Sequence, residues 1–244
     1  MIVAEGAGDD AGANGRRGAM MRQIGIVLAV AVGAFAFAFG AASTVNTLPP
    51  GTRLAVIDGD TIEIDGAVVD IAGIDAPEIS QLCRRDAEIR HCGLAAALAL
   101  EKMLALDAAY IACSPVATGT VRCAVGDEDL ALRLLGKGYA LALPGALPAY
   151  TEAAAEAKAA GMGLWGARFV EPARWRAGER LDAETAAATR CLIKGVVETA
   201  GRRYLVPTDP DYAAVTVDAA AGGRLFCSDE AARAAGFRHR LAGP

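Results

Sequence analysis

Three apolar runs alternate with a period of two near the front of the chain: Leu54 to Ile57, Thr61 to Ile64 and Val68 to Ile74. Turn residues divide them, at Asp58-Gly59-Asp60 and at Asp65-Gly66. That period puts one face of a strand on the core, and Asp-Gly between two such runs favours a tight hairpin. The pattern predicts a three-stranded antiparallel meander. Beyond it the pattern lengthens. Cys92 to Leu106 is rich in Ala and Leu, lacks proline and reads as a helix. Tyr110 to Cys113 and Thr120 to Val125 read as strands. Asp127 is expected to cap a short helix through Leu135, ended by Gly136 and Gly138. Pro148 to Ala160 reads as a further helix, and Met162 to Val170 packs back through Trp165. Residues 177–190 are an Ala-rich connection to a smaller β-rich stretch that starts at Cys191 and fills 191–244.

The first 43 residues follow a different pattern. Residues 1–22 are Gly- and Ala-rich with no apolar period, which predicts disorder. Ile24 to Ala42 is uncharged and apolar, long enough at 1.5 Å per residue to just span a bilayer. Arg16, Arg17 and Arg22 precede it, so the positive-inside rule leaves the N-terminus in the cytoplasm and the remainder outside. Segment 23–43 is therefore expected to be a transmembrane anchor or a signal sequence, with small residues at Gly40 to Ser43 suiting a signal peptidase. The expected location is a bacterial inner membrane with a periplasmic C-terminal part, or the periplasm or exterior after cleavage. Residues 44–52 form a polar, proline-containing linker.

Composition narrows the picture. The 244 residues are 54% hydrophobic, enough for a sizeable core, and carry a formal net charge of −5. An acidic balance argues against tight non-specific nucleic-acid binding, which depends on neutralising phosphates with Lys and Arg. Six cysteines, at 83, 92, 113, 123, 191 and 227, contain no Cys-x-x-Cys pair. An even count behind a membrane-targeting segment fits an oxidising compartment. Six cysteines allow fifteen connectivities. Sequence neighbours suggest Cys83–Cys92, Cys113–Cys123 and Cys191–Cys227.

The candidate chemistry sits at the ends of the meander strands. Asp58 and Asp60 are two apart and share a strand face. Asp75 and Glu78 close the third run, and Pro77 keeps Ala76 out of a helix. Carboxylates gathered at one rim repel, and a hard divalent cation that prefers oxygen ligands relieves the repulsion.

The pairing of Asp-Gly-Asp-Thr (58–61) with Gly-Ile-Asp-Ala-Pro-Glu (73–78) resembles the signature of the thermonuclease, or staphylococcal-nuclease-like, family. Cys92-Gly93, Asp129-Leu130 and Gly-Met-Gly-Leu-Trp at 161–165 agree with it. The resemblance covers 53–176. It implies an α+β fold, a five-stranded OB-type β-barrel with about three helices, and calcium-assisted hydrolysis of nucleic-acid phosphodiesters. By the same resemblance Asp60 and Asp75 are metal carboxylates with Asp58 beside them, the Ala76 carbonyl is a further ligand, and Glu78 is the general base. Stretch 191–244 is similar to a small module that often follows such domains in bacteria, and an unknown envelope partner is expected for it.

Two departures bear on function. The family places one arginine five residues before the Asp of its Asp-x-Pro-Glu motif, where this chain has Asp70. The second belongs to a Tyr-Gly-Arg motif, and counting back from Asp129-Leu130 puts Thr118 there. Arginine supplies a forked, always-charged donor to the transition-state phosphate. Arg122 is the nearest substitute phosphate contact, with Arg84, Arg85 and Arg90 as other candidates. The expectation is a degenerate nuclease with a weak Ca2+ site that acts as a binding or scaffolding module. The alternative is an active calcium-dependent nuclease on single-stranded nucleic acid with displaced arginines.

Overall fold

The computed structural model describes residues 47–105, 110–182, 184 and 191–239. The apolar run 24–42 lies outside them. Among the described residues no helix is long and apolar enough to cross a membrane. The fold is α+β.

The meander forms strands β1 (Leu54–Val56), β2 (Thr61–Ile64) and β3 (Ala67–Ile71). Both antiparallel pairings are in register, with Ala55 opposite Glu63 and Thr61 opposite Asp70. The β2–β3 turn has Asp65 and Gly66 both at positive φ, 48° and 88°, as a tight turn between twisted strands requires. A parallel step then joins β3 to β8 (Thr120–Val125), which pairs antiparallel with β7 (Ile111–Ala117). The strand order is β1-β2-β3-β8-β7, and a short strand, β9 (Glu128–Asp129), also pairs with β8. No ladder joins β7 to β1 among the described residues. The chain returns only through a bridge between Thr47 and Ala112.

Ile57, Ile62 and Ile71 from the sheet meet Leu100 of α1 (Cys92–Ala105) and Leu130 and Leu134 of α2 (Leu130–Gly136), all fully buried. Helices α3 (Pro148–Ala159) and α4 (Pro172–Arg176) follow, each opened by a proline at its first turn, where the missing N–H has no partner to lose.

Two local readings change, at the α2 cap and in the Tyr110–Cys113 run, and one hairpin is added. The cap of α2 is Asp129, whose side chain accepts from the Leu132 N–H at 3.1 Å. Asp127 instead lies in the turn between β8 and β9, because Glu128 and Asp129 extend the sheet. The charged stretch around Arg84 to His91 is a hairpin, β5 (Leu82–Arg85) against β6 (Glu88–His91). The Tyr110–Cys113 run continues to Ala117, and Thr118-Gly119 makes the tight turn into β8.

The C-terminal stretch builds a separate four-stranded sheet in the order β13-β11-β12-β14, from β11 (Ile193–Glu198), β12 (Gly201–Leu205), β13 (Arg224–Phe226) and β14 (Arg238–His239). Helix α5 (Asp229–Ala234) connects the last two strands and is capped by Ser228. Residues 44–244 make one compact unit, so this sheet packs on the first. The seam joins apolar side chains of both sheets in one core, Ile57 and Ile62 with Tyr204 and Phe237 among them, and adds specific polar contacts. Leu192 N–H donates to Ser80 Oγ at 2.9 Å, and the Thr208 hydroxyl donates to the Val56 carbonyl. His239 lies between Glu63 of β2 and Asp209 of the loop that follows β12. Cys83–Cys92, Cys113–Cys123 and Cys191–Cys227 are disulfide-bonded. Three disulfides fit an extracytoplasmic or secreted protein.

Candidate functional site

A cavity of about 270 Å³ opens where the ends of the meander meet the C-terminal sheet. Its carboxylates are Asp58, Asp60, Asp70, Asp75, Glu78 and Glu230. Among the described residues one basic side chain, Arg176, lines it.

Each acid is placed by its local backbone. Asp58 is buried, and its Oδ1 accepts from the N–H groups of Asp60 and Thr61, at 3.1 and 2.8 Å. This bond pattern holds the Asp58–Asp60 turn, which tolerates Asp and Gly because their backbones adopt it. Asp60 Oδ2 reaches across to accept from Ala76 N–H at 2.8 Å. Asp75 ends the short strand β4 (Ile74–Asp75), paired with β10 (Leu141–Ala142). Glu78 follows Pro77 and is 2% exposed. Its backbone N–H donates to Gln81 Oε1, and Gln81 Nε2 donates to the Val170 carbonyl. Gly93 is forced at this bend, since a Cβ there would lie 1.6 Å from the Glu78 carbonyl oxygen.

Arg176, at the end of α4, forks across two acids. Nη1 donates to Glu78 Oε1 and Nη2 to Asp75 Oδ1, each at 2.9 Å. Beside them, α5 brings Asp229 (buried) and Glu230 (exposed) from the C-terminal sheet. Burial dominates the titration of this cluster. It pushes Glu78 up to about 9, with the charges of Asp58 and Glu230 adding and Arg176 opposing. It pushes Asp229 up to about 8 and Asp58 up to about 6. Asp60 and Asp75 are also raised by burial, Asp60 further by Asp58, while Arg176 opposes the shift at Asp75.

Asp58, Asp60, Asp75 and Glu78 thus come together. Two members of the ligand set that the resemblance implies already have one oxygen engaged. Asp60 is engaged by the Ala76 amide and Asp75 by Arg176. Asp70 stands on the cavity wall opposite Thr61, whose hydroxyl donates to it at 3.1 Å. Thr118 occupies the tight β7–β8 turn with no cation. Arg122 is exposed on β8 and interacts with Tyr150 rather than the cavity. Arg84, Arg85 and Arg90 belong to the β5–β6 hairpin and do not line the cavity. The sequence reading missed Arg176, Asp229 and Glu230. The first was visible as one of three arginines around Trp175, but its partners lie about a hundred residues upstream. The acids of α5 follow a Ser cap, where acidic residues are ordinary helix chemistry.

The fold and cavity define an α+β protein with a buried acidic cluster that one guanidinium partly neutralises. No family model matches the chain, and no curated protein matches it significantly.

Proposed function

We propose that the chain is a membrane-tethered, extracytoplasmic protein of thermonuclease-like fold that has lost most phosphodiesterase activity and serves as a binding or scaffolding module. The five-strand order β1-β2-β3-β8-β7, with a return bridge at Thr47, supports an OB-type barrel as its core. The observation that carries the functional reading is Arg176. The cavity's single guanidinium is spent on Asp75 and Glu78, the residues that the resemblance assigns to metal and base. A phosphate entering the cavity meets the carboxyl groups of Asp70 and Glu230 where the reaction needs cationic donors. Removing one transition-state donor costs about 10²–10³ in rate, and two are missing here. The membrane contact is residues 24–42, and the C-terminal sheet is the candidate surface for an envelope protein.

Arg176 also favours a second reading. Swung off the carboxylates, it is the nearest cation to the cavity and would act as the displaced arginine of a working nuclease on single-stranded nucleic acid. One assay separates the two. The full chain is incubated with single-stranded DNA, with and without Ca2+, beside Glu78→Gln and Arg176→Ala. The expected result is no calcium-dependent cleavage above the Glu78→Gln background. Calcium-dependent cleavage that both substitutions abolish would establish the nuclease instead. Asp70→Arg is the companion variant, expected to raise cleavage if the missing cation was the limiting group.

A further inference from the structure

The cavity sets six carboxyl groups against one guanidinium. Arg176 serves only Asp75 and Glu78. Among the described residues no Lys, Arg or His pairs with Asp58, Asp60, Asp70 or Glu230. Asp70 comes from β3 and Glu230 from α5, so each sheet's neighbourhood supplies one exposed acid to the same opening. Asp70 Oδ1 accepts from the Thr61 hydroxyl, and its Oδ2 has no donor among the described residues. A second observation points to a ligand. Glu78 is 2% exposed and lines the cavity. Its Oε1 accepts from Arg176, while its Oε2 is buried with no hydrogen-bond partner among the described residues. Buried polar atoms are almost always satisfied, and one left over asks for an explanation.

We propose that the cavity receives an arginine side chain from an exposed basic segment of a partner protein, with Asp70 and Glu230 meeting the guanidinium at the opening. The molecule already holds one example of this chemistry. Arg176 spreads its fork over two acids, one 2.9 Å bond to each, and a planar, always-charged fork matches paired carboxyl groups better than a compact ammonium does. Leu143 lines the same cavity and is 40% exposed. It gives the alkyl stem of the incoming side chain an apolar wall while the charged head reaches the acids. At about 270 Å³ the cavity falls just under the range of pockets that hold drug-sized molecules, about 300–1,000 Å³, and suits a single long side chain. The surplus of carboxyl groups draws in a basic segment and turns away a phosphate polymer. The ligand is an organic cation, not a metal and not a nucleic acid. The inference rests on the reading of the chain as a binding module and names the chemistry of what the module binds.

The test titrates the purified full chain by calorimetry with a capped glycine pentapeptide carrying one central arginine. The same peptide with citrulline, a neutral group of the same shape, is the comparison, and spermidine stands for a free polyamine. Salt is held at about 0.15 M, where long-range attraction to an acidic chain is largely screened. The expected result is one arginine peptide per chain, with the citrulline peptide at least about tenfold weaker. Asp70→Asn combined with Glu230→Gln is expected to weaken the arginine peptide about fivefold to tenfold, the loss of two exposed charge pairs. Glu152→Gln combined with Glu156→Gln makes the same change of charge on α3, away from the cavity, and is expected to leave binding unchanged. Both pairs are exposed, and thermal melts report that each variant is folded. The proposal is overturned if the arginine and citrulline peptides bind alike or not at all, or if the α3 pair costs as much as the cavity pair. Spermidine binding that the cavity pair removes, with both peptides silent, also overturns it in favour of a free polyamine. Silent peptides in a chain that cleaves no DNA remove only this ligand, whereas calcium-dependent cleavage removes the binding-module reading beneath it.

Discussion

His239 is the residue on which the seam between the two sheets should titrate. Its imidazole is fully buried, with Nδ1 2.8 Å from Glu63 Oε2 and Nε2 3.0 Å from Asp209 Oδ1. The Tyr204 ring packs on it at 5.2 Å between centroids. Burial alone would favour the neutral ring. The hydrogen bonds and charges of Asp209 and Glu63 outweigh it, and the pKa rises from 6.5 to about 9. Both ring nitrogens then donate, one to each carboxylate. At about 1.4 kcal/mol per pH unit, the rise is worth about 3 kcal/mol of folding stability. A folded pKa above the unfolded value makes this contribution complete below about pH 6.5, and it is lost as pH rises through about 9. For a body of this size the loss corresponds to a fall in Tm of about 6–12 °C. Glu78 and Asp229, held protonated by burial, also lose stabilisation as pH rises. His239→Gln supplies the reference that removes their share. Thermal melts of the native chain and of His239→Gln from pH 6 to pH 10 should start far apart, the variant lower, and converge at the alkaline end. Parallel curves across that range would refute the reasoning, because the buried imidazole would then be neutral throughout.

Two further outcomes follow from packing and covalent constraint. Cys191–Cys227 closes a separation of 36 residues, so Cys191→Ser with Cys227→Ser should cost about 4 kcal/mol by the loop-closure estimate, read as a lower urea midpoint with a higher m-value as the freed unfolded chain exposes more surface. Gly93→Ala should destabilise by at least about 3 kcal/mol and reduce the yield of folded chain, because the added methyl meets the backbone of Glu78 rather than a flexible side chain.

Local chemistry was legible in the sequence and distant chemistry was not. The meander announced itself through alternation and through Asp65-Gly66, whose backbone only a few residue types adopt without strain. The gathering of Asp58, Asp60, Asp75 and Glu78 was legible because the turn and bend that hold them end neighbouring strands within 21 residues of chain. The capping of α2 went to Asp129 rather than Asp127, since pairing with β8 competed for the same backbone and won. Arg176 was hidden by distance. A surface-charge reading of Arg174, Arg176 and Arg180 gives no hint which one turns inward, and only the docking of α4 through buried Trp175 decides it. Asp229 and Glu230 were hidden because nothing in either sheet's own pattern says how the two sheets face each other. That arrangement is set by single contacts such as Ser80 with Leu192 and Glu63 with His239.

The part of the chain that completes the cavity is made well after the part that supplies its first acids. While residues 191–239 are still emerging, Asp58, Asp75 and Glu78 already exist without Asp229 and Glu230 beside them, and domains begin to fold from the N-terminal end during synthesis. The nascent polypeptide therefore shows its surroundings a roomier cleft with fewer carboxyl groups than the completed one. Proteolytic clipping after residue 190 would recreate that juvenile form, and measurements on such fragments describe it rather than the mature protein.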